Sequence, residues 1–249
     1  MNYNQYYDEC RVVWEEDGNK SSVEYNDYLT NVVTTKLTGD AINNMVDVYN
    51  ENIPNMKSLT PEYSMIEFEG NSKLEEVTER LCSDISLILE NHMGCHMKLQ
   101  TIKLKRHKNV DKVTLPAFRW HSDLHADPVL NIMVYISEVD EGCGPFQYLL
   151  NGDDRGIVID NTTHDFPDDY VEHIIKTFGL TINSFLGGPG SMCIFNNNIM
   201  HRGGIPTKND RDVVLLQFRP TKKKPEKNLD WNYLNNSWEE LMQWDKWDG

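Results

Sequence analysis

The chain has 249 residues, with 39 acidic and 24 basic side chains and a formal net charge of −15. This length fits one large domain or two small ones and can bury a sizeable core. Because so acidic a protein repels phosphate backbones and anionic lipid headgroups, the charge argues against nucleic-acid and membrane-surface binding. Small molecules or proteins are the expected partners.

The cysteines and the N-terminus indicate where the protein works. The five cysteines are widely spaced and form no CxxC pair, so neither a structural zinc site nor a dithiol redox motif is indicated. The first residues, MNYNQYYDEC, lack the basic start and apolar run of a signal peptide, and no apolar stretch has the length of a membrane span. We therefore expect a soluble, cytoplasmic protein.

Residues 1–97 are expected to form N-terminal strands and supporting helices. Alternation in SSVEYNDYLTNVVTTKL predicts one or two strands that cover a sheet edge. Apolar residues at helical spacing predict a helix over 40–53, which Pro54 ends. A second helix is predicted over 72–92, where Ser72 and Glu75 have capping-box spacing and Gly94 can close the C-terminus. Its apolar stripe comprises Leu74, Val77, Leu81, Ile85 and Ile88.

Residues 98–220 have the texture of a β-domain. Short β-rich runs bounded by Gly, Pro, Asn and Asp are KLQTIKLK, VLNIMVYI, GPFQYLL, GSMCIF and DVVLLQF. Many short strands with turn residues between them predict a jelly roll or barrel. An insert over 160–180 contains a predicted helix at 168–179, which we interpret as a lid or a covering helix.

The C-terminal tail, residues 221–249, carries four tryptophans in WNYLNNSWEELMQWDKWDG. We interpret it as a terminal helix that packs its aromatic side chains onto the domain. The alternative is a partner-binding segment that mediates homo-oligomer formation. Because no second core is evident, the whole chain, 1–249, is expected to form one domain.

Polar side chains stand just ahead of the apolar run VLNIMVYI: His121, Asp123, His125 and Asp127. Because side chains of a strand alternate between faces, His121 and Asp123 point to the same side and offer an imidazole and a carboxylate to one ion. Taken alone, the pair is weak evidence for a metal site. The Asp127-Pro128 pair favours a turn, so His125 is kept as a candidate substrate contact only.

A second segment supplies a third candidate ligand and a cation. His201 follows the strand GSMCIF and precedes Gly203 and Gly204. Two histidines and a carboxylate on one face of a metal suit non-haem Fe(II) oxygen chemistry, although zinc binds the same ligand types. Arg211 follows ten residues later, and its planar guanidinium suits bidentate binding of the far carboxylate of a 2-oxo acid. A surface ion pair with Asp210 is the alternative.

In this order, His121-x-Asp123, the Gly-Pro-Phe turn at 144–146, the GGPGSMCIF strand, His201 and Arg211 resemble the Fe(II)/2-oxoglutarate-dependent oxygenases. The sequence is most similar to their phytanoyl-CoA dioxygenase-like branch, over roughly residues 98–220. The resemblance implies a mainly β fold with flanking helices, built on a double-stranded β-helix or cupin-like jelly roll. It also implies that Fe(II), 2-oxoglutarate and O2 together oxidise a C–H bond of a small molecule, releasing succinate and CO2.

The resemblance also implies a role for each site residue. His121, Asp123 and His201 are expected to hold the iron, and Arg211 the far carboxylate of 2-oxoglutarate. Halogenating relatives replace the carboxylate ligand by a small residue, so its presence here favours hydroxylation, or a related desaturation or ring closure, over halogenation. Relatives often carry a hydroxyl residue two positions after the distal histidine, where this chain has Gly203, and Thr207 is the candidate substitute.

Two residues that flank the expected cavity complete the candidate set. Tyr135 is a candidate co-substrate contact, and Arg119 is a candidate substrate contact. The N-terminal segment and the 168–179 helix are expected to close over the substrate.

Two other functions remain open. One is a metal-dependent hydrolase or a cupin-type dioxygenase that uses the three ligands without a 2-oxo acid. The other is a non-catalytic jelly-roll binding protein that interacts through its tryptophan-rich tail.

Overall fold

The computed structural model describes residues 3–20, 30–66, 71–123, 129–159 and 165–225. Within these ranges the helices are α1 (Tyr3–Glu16), α2 (Asp40–Asn52), α3 (Ser72–Met93) and α4 (Asp168–Phe178). The strands are β1 (Val32–Lys36), β2 (Lys57–Thr60), β3 (Tyr63–Ile66), β4 (His96–His107), β5 (Trp120–His121), β6 (Leu130–Tyr135), β7 (Phe146–Leu150), β8 (Asp165–Phe166), β9 (Thr181–Phe185), β10 (Ser191–Asn196), β11 (His201–Gly203) and β12 (Arg211–Thr221).

The strands form two antiparallel sheets. The larger has the order β1-β10-β6-β12-β4-β3-β2, and the smaller has the order β8-β5-β11-β7-β9. Apart from β2, β3 and β4, which follow one another in the chain, neighbouring strands are separated in sequence by other strands, as in a jelly roll. The prediction of a mainly β jelly roll with flanking helices is therefore confirmed.

Strand β6 shows how the larger sheet separates two layers. Its residues are all buried, yet they alternate between two cores. Ile132 and Val134 pack in the core that the larger sheet shares with the helices, which we call the outer core. Met133 and Tyr135 pack in the core between the two sheets. The period-2 alternation thus places every second side chain of this strand inside the jelly roll. Asn131 lies on the same inner face as Met133.

Helices α2 and α3 belong to the outer core of the larger sheet, where Met45 and Leu81 are buried. Both predicted helices are confirmed, and Gly94 ends α3 in the left-handed conformation. Two details of the prediction are wrong. The side chain that caps α3 is that of Asn71, which accepts a hydrogen bond from the Leu74 N–H at 3.0 Å. The side chain of Ile88 is 37% exposed.

The N-terminal region contains a helix that the sequence did not predict. Tyr6, Tyr7 and Cys10 of α1 are buried in the outer core, and the Tyr7 hydroxyl donates to the Met93 carbonyl at 2.6 Å. The predicted edge strand is present as β1, which pairs with β10 at one end of the larger sheet. Helix α1 packs on the face of the larger sheet that turns away from the smaller sheet, whereas Val32 of β1 packs against the core between the sheets. Helix α1 therefore does not close over a site between the sheets, and closure by the rest of the N-terminal segment stays a prediction.

Helix α4 lies in the predicted insert and ends at Gly179. Val171 and Ile174 pack with Trp120 and Phe166 of the smaller sheet, in a core separate from the one between the sheets. The helix therefore covers the outside of that sheet, and its interpretation as a lid is wrong. The tail beyond residue 225, with its four tryptophans, lies outside the described residues. Among the residues that the structure covers, no helix has the length and apolar character of a membrane span.

Candidate active site

The three candidate metal ligands meet between the two sheets. His121 ends β5 and His201 begins β11, and the two residues are direct partners in the smaller sheet. Asp123 follows β5 by two residues, held by a hydrogen bond of its N–H to the Asn197 carbonyl at 3.1 Å. Its Oδ1 lies 3.6 Å from His121 Nε2, and candidate ligand atoms of all three residues lie within 4.8 Å of one another. Two imidazoles and one carboxylate are the ligand set of non-haem Fe(II) sites.

Both histidines are oriented in the same way by their own backbone. His121 Nδ1 lies 2.8 Å from the Arg119 carbonyl, and His201 Nδ1 lies 2.8 Å from the Ile199 carbonyl. A carbonyl accepts hydrogen bonds only, so each ring, when neutral, carries its proton on Nδ1 and its lone pair on Nε2. Such a hydrogen bond on the second ring nitrogen is the usual support of a metal-binding histidine.

Asp123 is oriented by hydrogen bonds that cross three strands of the larger sheet. Asn131 Nδ2 donates to Asp123 Oδ2 at 3.3 Å, and Asn131 Oδ1 accepts from Gln217 Nε2 at 2.9 Å. Gln217 Oε1 in turn accepts from the Thr101 hydroxyl at 2.8 Å. We call these four residues the Asp123 relay. Because the relay occupies Oδ2, it directs the other carboxylate oxygen toward His121.

A cavity of about 200 Å³ adjoins the three ligands. Its walls combine apolar side chains with a small number of polar and charged groups, which is typical of ligand sites. The lining residues are Lys103, Lys105, His107, Ala117, Phe118, His121, Asp123, Asn131, Met133, Phe146, Phe195, His201, Gly203, Arg211, Val213, Leu215 and Gln217.

Arg211 is a buried cation in the wall of this cavity. It is 1% exposed, its Nη1 donates to the Gly204 carbonyl at 3.4 Å, and its Nε has no hydrogen-bond partner among the described residues. Burial lowers the pKa of the guanidinium to about 10. The alternative ion pair with Asp210 is not formed, since Asp210 lies beside Arg106 at 3.8 Å. A buried guanidinium with an unpaired N–H favours an anionic ligand.

Three other candidates lie away from the cavity. The Tyr135 hydroxyl donates to the Phe185 carbonyl at 2.7 Å and accepts from the Phe146 N–H at 3.1 Å, so it is occupied within the core. Thr207 and Arg119 are exposed, and neither side chain lines the cavity. None of the three lines the cavity in this structure, and the roles expected for Tyr135, Thr207 and Arg119 stay predictions. His125 lies outside the described residues.

Sequence reasoning missed three cavity residues on β4: Lys103, Lys105 and His107. The sequence does carry a signal for them, because their spacing of two residues places all three on one face of the strand. Leu104, between them, faces the outer core. His107 Nδ1 has no hydrogen-bond partner among the described residues. Burial, with Arg211 and Lys105 nearby, holds the pKa of His107 well below its usual value, so this imidazole is neutral.

Comparison with known proteins gives no relative by sequence. No family model matches the chain, and no curated protein matches it. Solved structures do match. The epimerase SnoN from nogalamycin biosynthesis, in a complex, superposes with a TM-score of 0.58 at 10% identity, over 89% of this chain and 87% of SnoN. EctD from S. alaskensis gives 0.55 at 13% identity, over 87% and 84% of the two chains. HygX from Streptomyces hygroscopicus gives 0.52 at 16%, over 80% and 87%.

The chain has the fold of these three proteins. The expected double-stranded β-helix is therefore confirmed both by strand order and by superposition. At identities of 10–16% the likeness extends to the fold, so the chemistry has to be argued from the side chains of this chain. Membership of the phytanoyl-CoA dioxygenase-like branch stays a prediction.

Proposed function

We propose that this protein is an Fe(II)- and 2-oxoglutarate-dependent oxygenase that acts on a small molecule. The observation that carries the proposal is the position of a three-ligand cluster and a buried, partly unpaired guanidinium in the wall of one cavity. Hydrolysis at a metal requires the three ligands but does not require a guanidinium beside them, whereas a 2-oxo acid with a second carboxylate does need a cation at its far end.

Ligands of the structural neighbours agree with this proposal. SnoN is described as a non-haem, alpha ketoglutarate-dependent epimerase and was crystallised with Fe3+, alpha ketoglutarate and nogalamycin RO. EctD was crystallised with 2-oxoglutarate and 5-hydroxyectoine, and HygX with nickel, 2-oxoglutarate and hygromycin B. The same fold thus accommodates a metal, this co-substrate and a small organic molecule together.

In the proposed enzyme, Nε2 of His121 and His201 and Oδ1 of Asp123 hold the iron. Bound iron, with 2-oxoglutarate and O2, supplies the oxidising power for a C–H bond, and the co-substrate leaves as succinate and CO2. Arg211 holds the far carboxylate of 2-oxoglutarate through its free N–H groups, which sets the direction of the co-substrate in the cavity. We retain hydroxylation as the proposed reaction because Asp123 occupies the ligand position.

The cavity walls protect the reaction from water. Phe146 and Phe195 pack beside His201, with ring centroids 5.5 and 5.3 Å from the imidazole. Val213 and Leu215 extend the apolar wall along β12. Such walls exclude water from the reacting groups and strengthen electrostatic interactions with the charged ones.

The test is anaerobic addition of Fe(II) and then 2-oxoglutarate to the protein, following the weak visible charge-transfer band of a 2-oxo acid chelated to iron. The protein should show the band, and His201→Ala should lose both iron binding and the band. Arg211→Met should keep iron but weaken 2-oxoglutarate binding by about 100-fold or more, since hydrogen bonds between charged groups contribute about 1.5–3 kcal/mol each.

Arg202→Met is the matched control. Its guanidinium lies over the Trp120 ring at 4.5 Å, outside the cavity, and its removal should leave 2-oxoglutarate binding unchanged. Iron binding without the band, or unchanged co-substrate affinity in Arg211→Met, would favour the hydrolase or the cupin-type dioxygenase. Absence of metal binding would favour the non-catalytic binding protein.

A further inference from the structure

The cavity contains more positive charge than the proposed metal and co-substrate require. Besides Arg211, Lys103 and Lys105 line it, and Asp123 is the one carboxylate among its described lining residues. Doubly charged iron and the Arg211 guanidinium together balance Asp123 and the two carboxylates of 2-oxoglutarate. The two lysines are then left without a counter-charge in the cavity.

Strand register places the three cations in a row. On β4 and β12, Lys105 is the partner of Val213 and Lys103 is the partner of Leu215, while Arg211 starts β12. Partners in an antiparallel pair share a face, so the two lysines follow Arg211 along the cavity wall. At about 3.3 Å per residue, Lys105 is about 7 Å and Lys103 about 13 Å along the strand from Arg211. Arg211 is buried and Lys103 is exposed, so the row runs outward to solvent.

Lys105 has no anionic partner among the described residues. Its Nζ lies 5.5 Å from the centroid of the Tyr63 ring, and no described carboxylate lies within ion-pair distance of it. Burial and neighbouring Lys103 lower the pKa of Lys105 to about 7, with Asp123 acting in the opposite direction and Arg211 adding to the decrease. An ammonium in such a place is costly unless an anion arrives to pair with it.

We propose that Lys105, with Lys103 at the outer end of the row, binds an anionic group of the substrate, either a carboxylate or a phosphate ester. This inference rests on the proposed function, because it assigns to the substrate the cations that the iron and 2-oxoglutarate leave unpaired. In a chain of net charge −15, a row of cations leading from solvent into one cavity also attracts an anion selectively to that cavity.

The experiment titrates inorganic phosphate and, separately, acetate into the protein loaded with Ni(II) and 2-oxoglutarate, and measures binding by calorimetry. Nickel occupies the metal site without turnover. Lys105→Met should weaken anion binding by about tenfold or more, and Lys103→Met by a smaller factor. Binding of phosphate in preference to acetate would indicate a phosphate ester, and the reverse preference a carboxylate.

Three further variants separate charge from folding. Lys36→Met removes an exposed lysine of β1 outside the cavity and should bind both anions as the unaltered protein does. Lys105→Gln provides a second neutral side chain, and Lys105→Arg should restore anion binding because it keeps the charge. Circular dichroism and the unfolding temperature of each variant report whether it is folded.

Several results would overturn the inference. These are no anion binding by the unaltered protein, unchanged binding in both neutral Lys105 variants, or a loss of 2-oxoglutarate affinity in those variants as large as the loss of anion affinity. The last result would assign Lys105 to the co-substrate. Failure of the proposed function is a different observation, since the loaded state itself would not form in the unaltered protein.

Discussion

Replacing Asn131 by leucine tests whether the Asp123 relay supports the metal site. Leucine has a similar volume but no amide, so it removes the hydrogen bond from Asn131 Nδ2 to Asp123 Oδ2 without opening a large cavity. Asp123 then loses the partner that directs its other oxygen toward His121. We expect weaker Fe(II) binding in a protein that still folds.

The geometry of the relay sets the size of this effect. Removing groups that orient metal ligands costs roughly 10- to 100-fold in metal affinity, or about 1.4–2.8 kcal/mol. The hydrogen bond to Asp123 is long, at 3.3 Å, which places the expected loss near the lower end of that range. In addition, Gln217 Nε2 loses its acceptor, and an unsatisfied buried amide costs about 1–3 kcal/mol of folding free energy. The unfolding temperature should therefore fall as well.

Fe(II) affinity is measured anaerobically against a competing chelator, and stability is measured in parallel by thermal unfolding of the metal-free protein. Thr101→Val is the matched control, because it breaks the same relay two links away from Asp123. It should lower stability but leave Fe(II) affinity close to that of the unaltered protein. If Asn131→Leu binds Fe(II) as tightly as Thr101→Val does, the relay supports the fold alone and the reasoning is refuted.

Two predictions concern stability away from the cavity. Glu62 Oε1 accepts hydrogen bonds from the Thr114 N–H, the Thr114 hydroxyl and the Leu115 N–H. The two hydrogen bonds from Thr114 are the main reason why the pKa of this carboxyl is lowered to about 2. Its contribution to stability is complete above its unfolded-state pKa of about 4.3 and is lost as the pH falls toward 2. Between about pH 4.3 and 2, the free energy of unfolding should therefore fall less steeply with decreasing pH in Glu62→Gln than in the unaltered protein. The measurement is urea unfolding at a series of pH values, and an equal pH dependence in the two proteins would contradict this prediction. Asn71→Ala should cost about 1 kcal/mol through loss of the α3 cap, whereas Ser72→Ala should cost much less; equal costs would restore the predicted capping box.

Most of the fold was predictable because its elements are marked by local periodicity. Helices α2 and α3 and the long strands carry apolar spacing that fixes their type. Helix α1 was missed although Tyr6, Cys10 and Trp14, all buried, recur every four residues. Tyrosine, valine and tryptophan favour strands, so packing against the outer core decides the helix.

The candidate metal ligands were predictable for a different reason. His121 and Asp123 stand two residues apart, and the ordered set of motifs that resembles the Fe(II)/2-oxoglutarate-dependent oxygenases singled out His201 as the third candidate. The Asp123 relay depends instead on register between strands that are distant in the chain. Gln217 is the partner of both Asn131 and Thr101, an arrangement set by the packing of the whole sheet.

The inner face of β4 argues that the interior of this jelly roll is built around ligands. Lys103, Lys105 and His107 face the cavity, whereas Leu104 on the opposite face joins the outer core. A structural interior would be filled by apolar side chains, since each buried polar group without a partner costs about 1–3 kcal/mol. Replacing Lys105 and His107 by apolar residues should therefore raise the unfolding temperature while removing ligand binding, which is the pattern expected where a fold gives up stability for function.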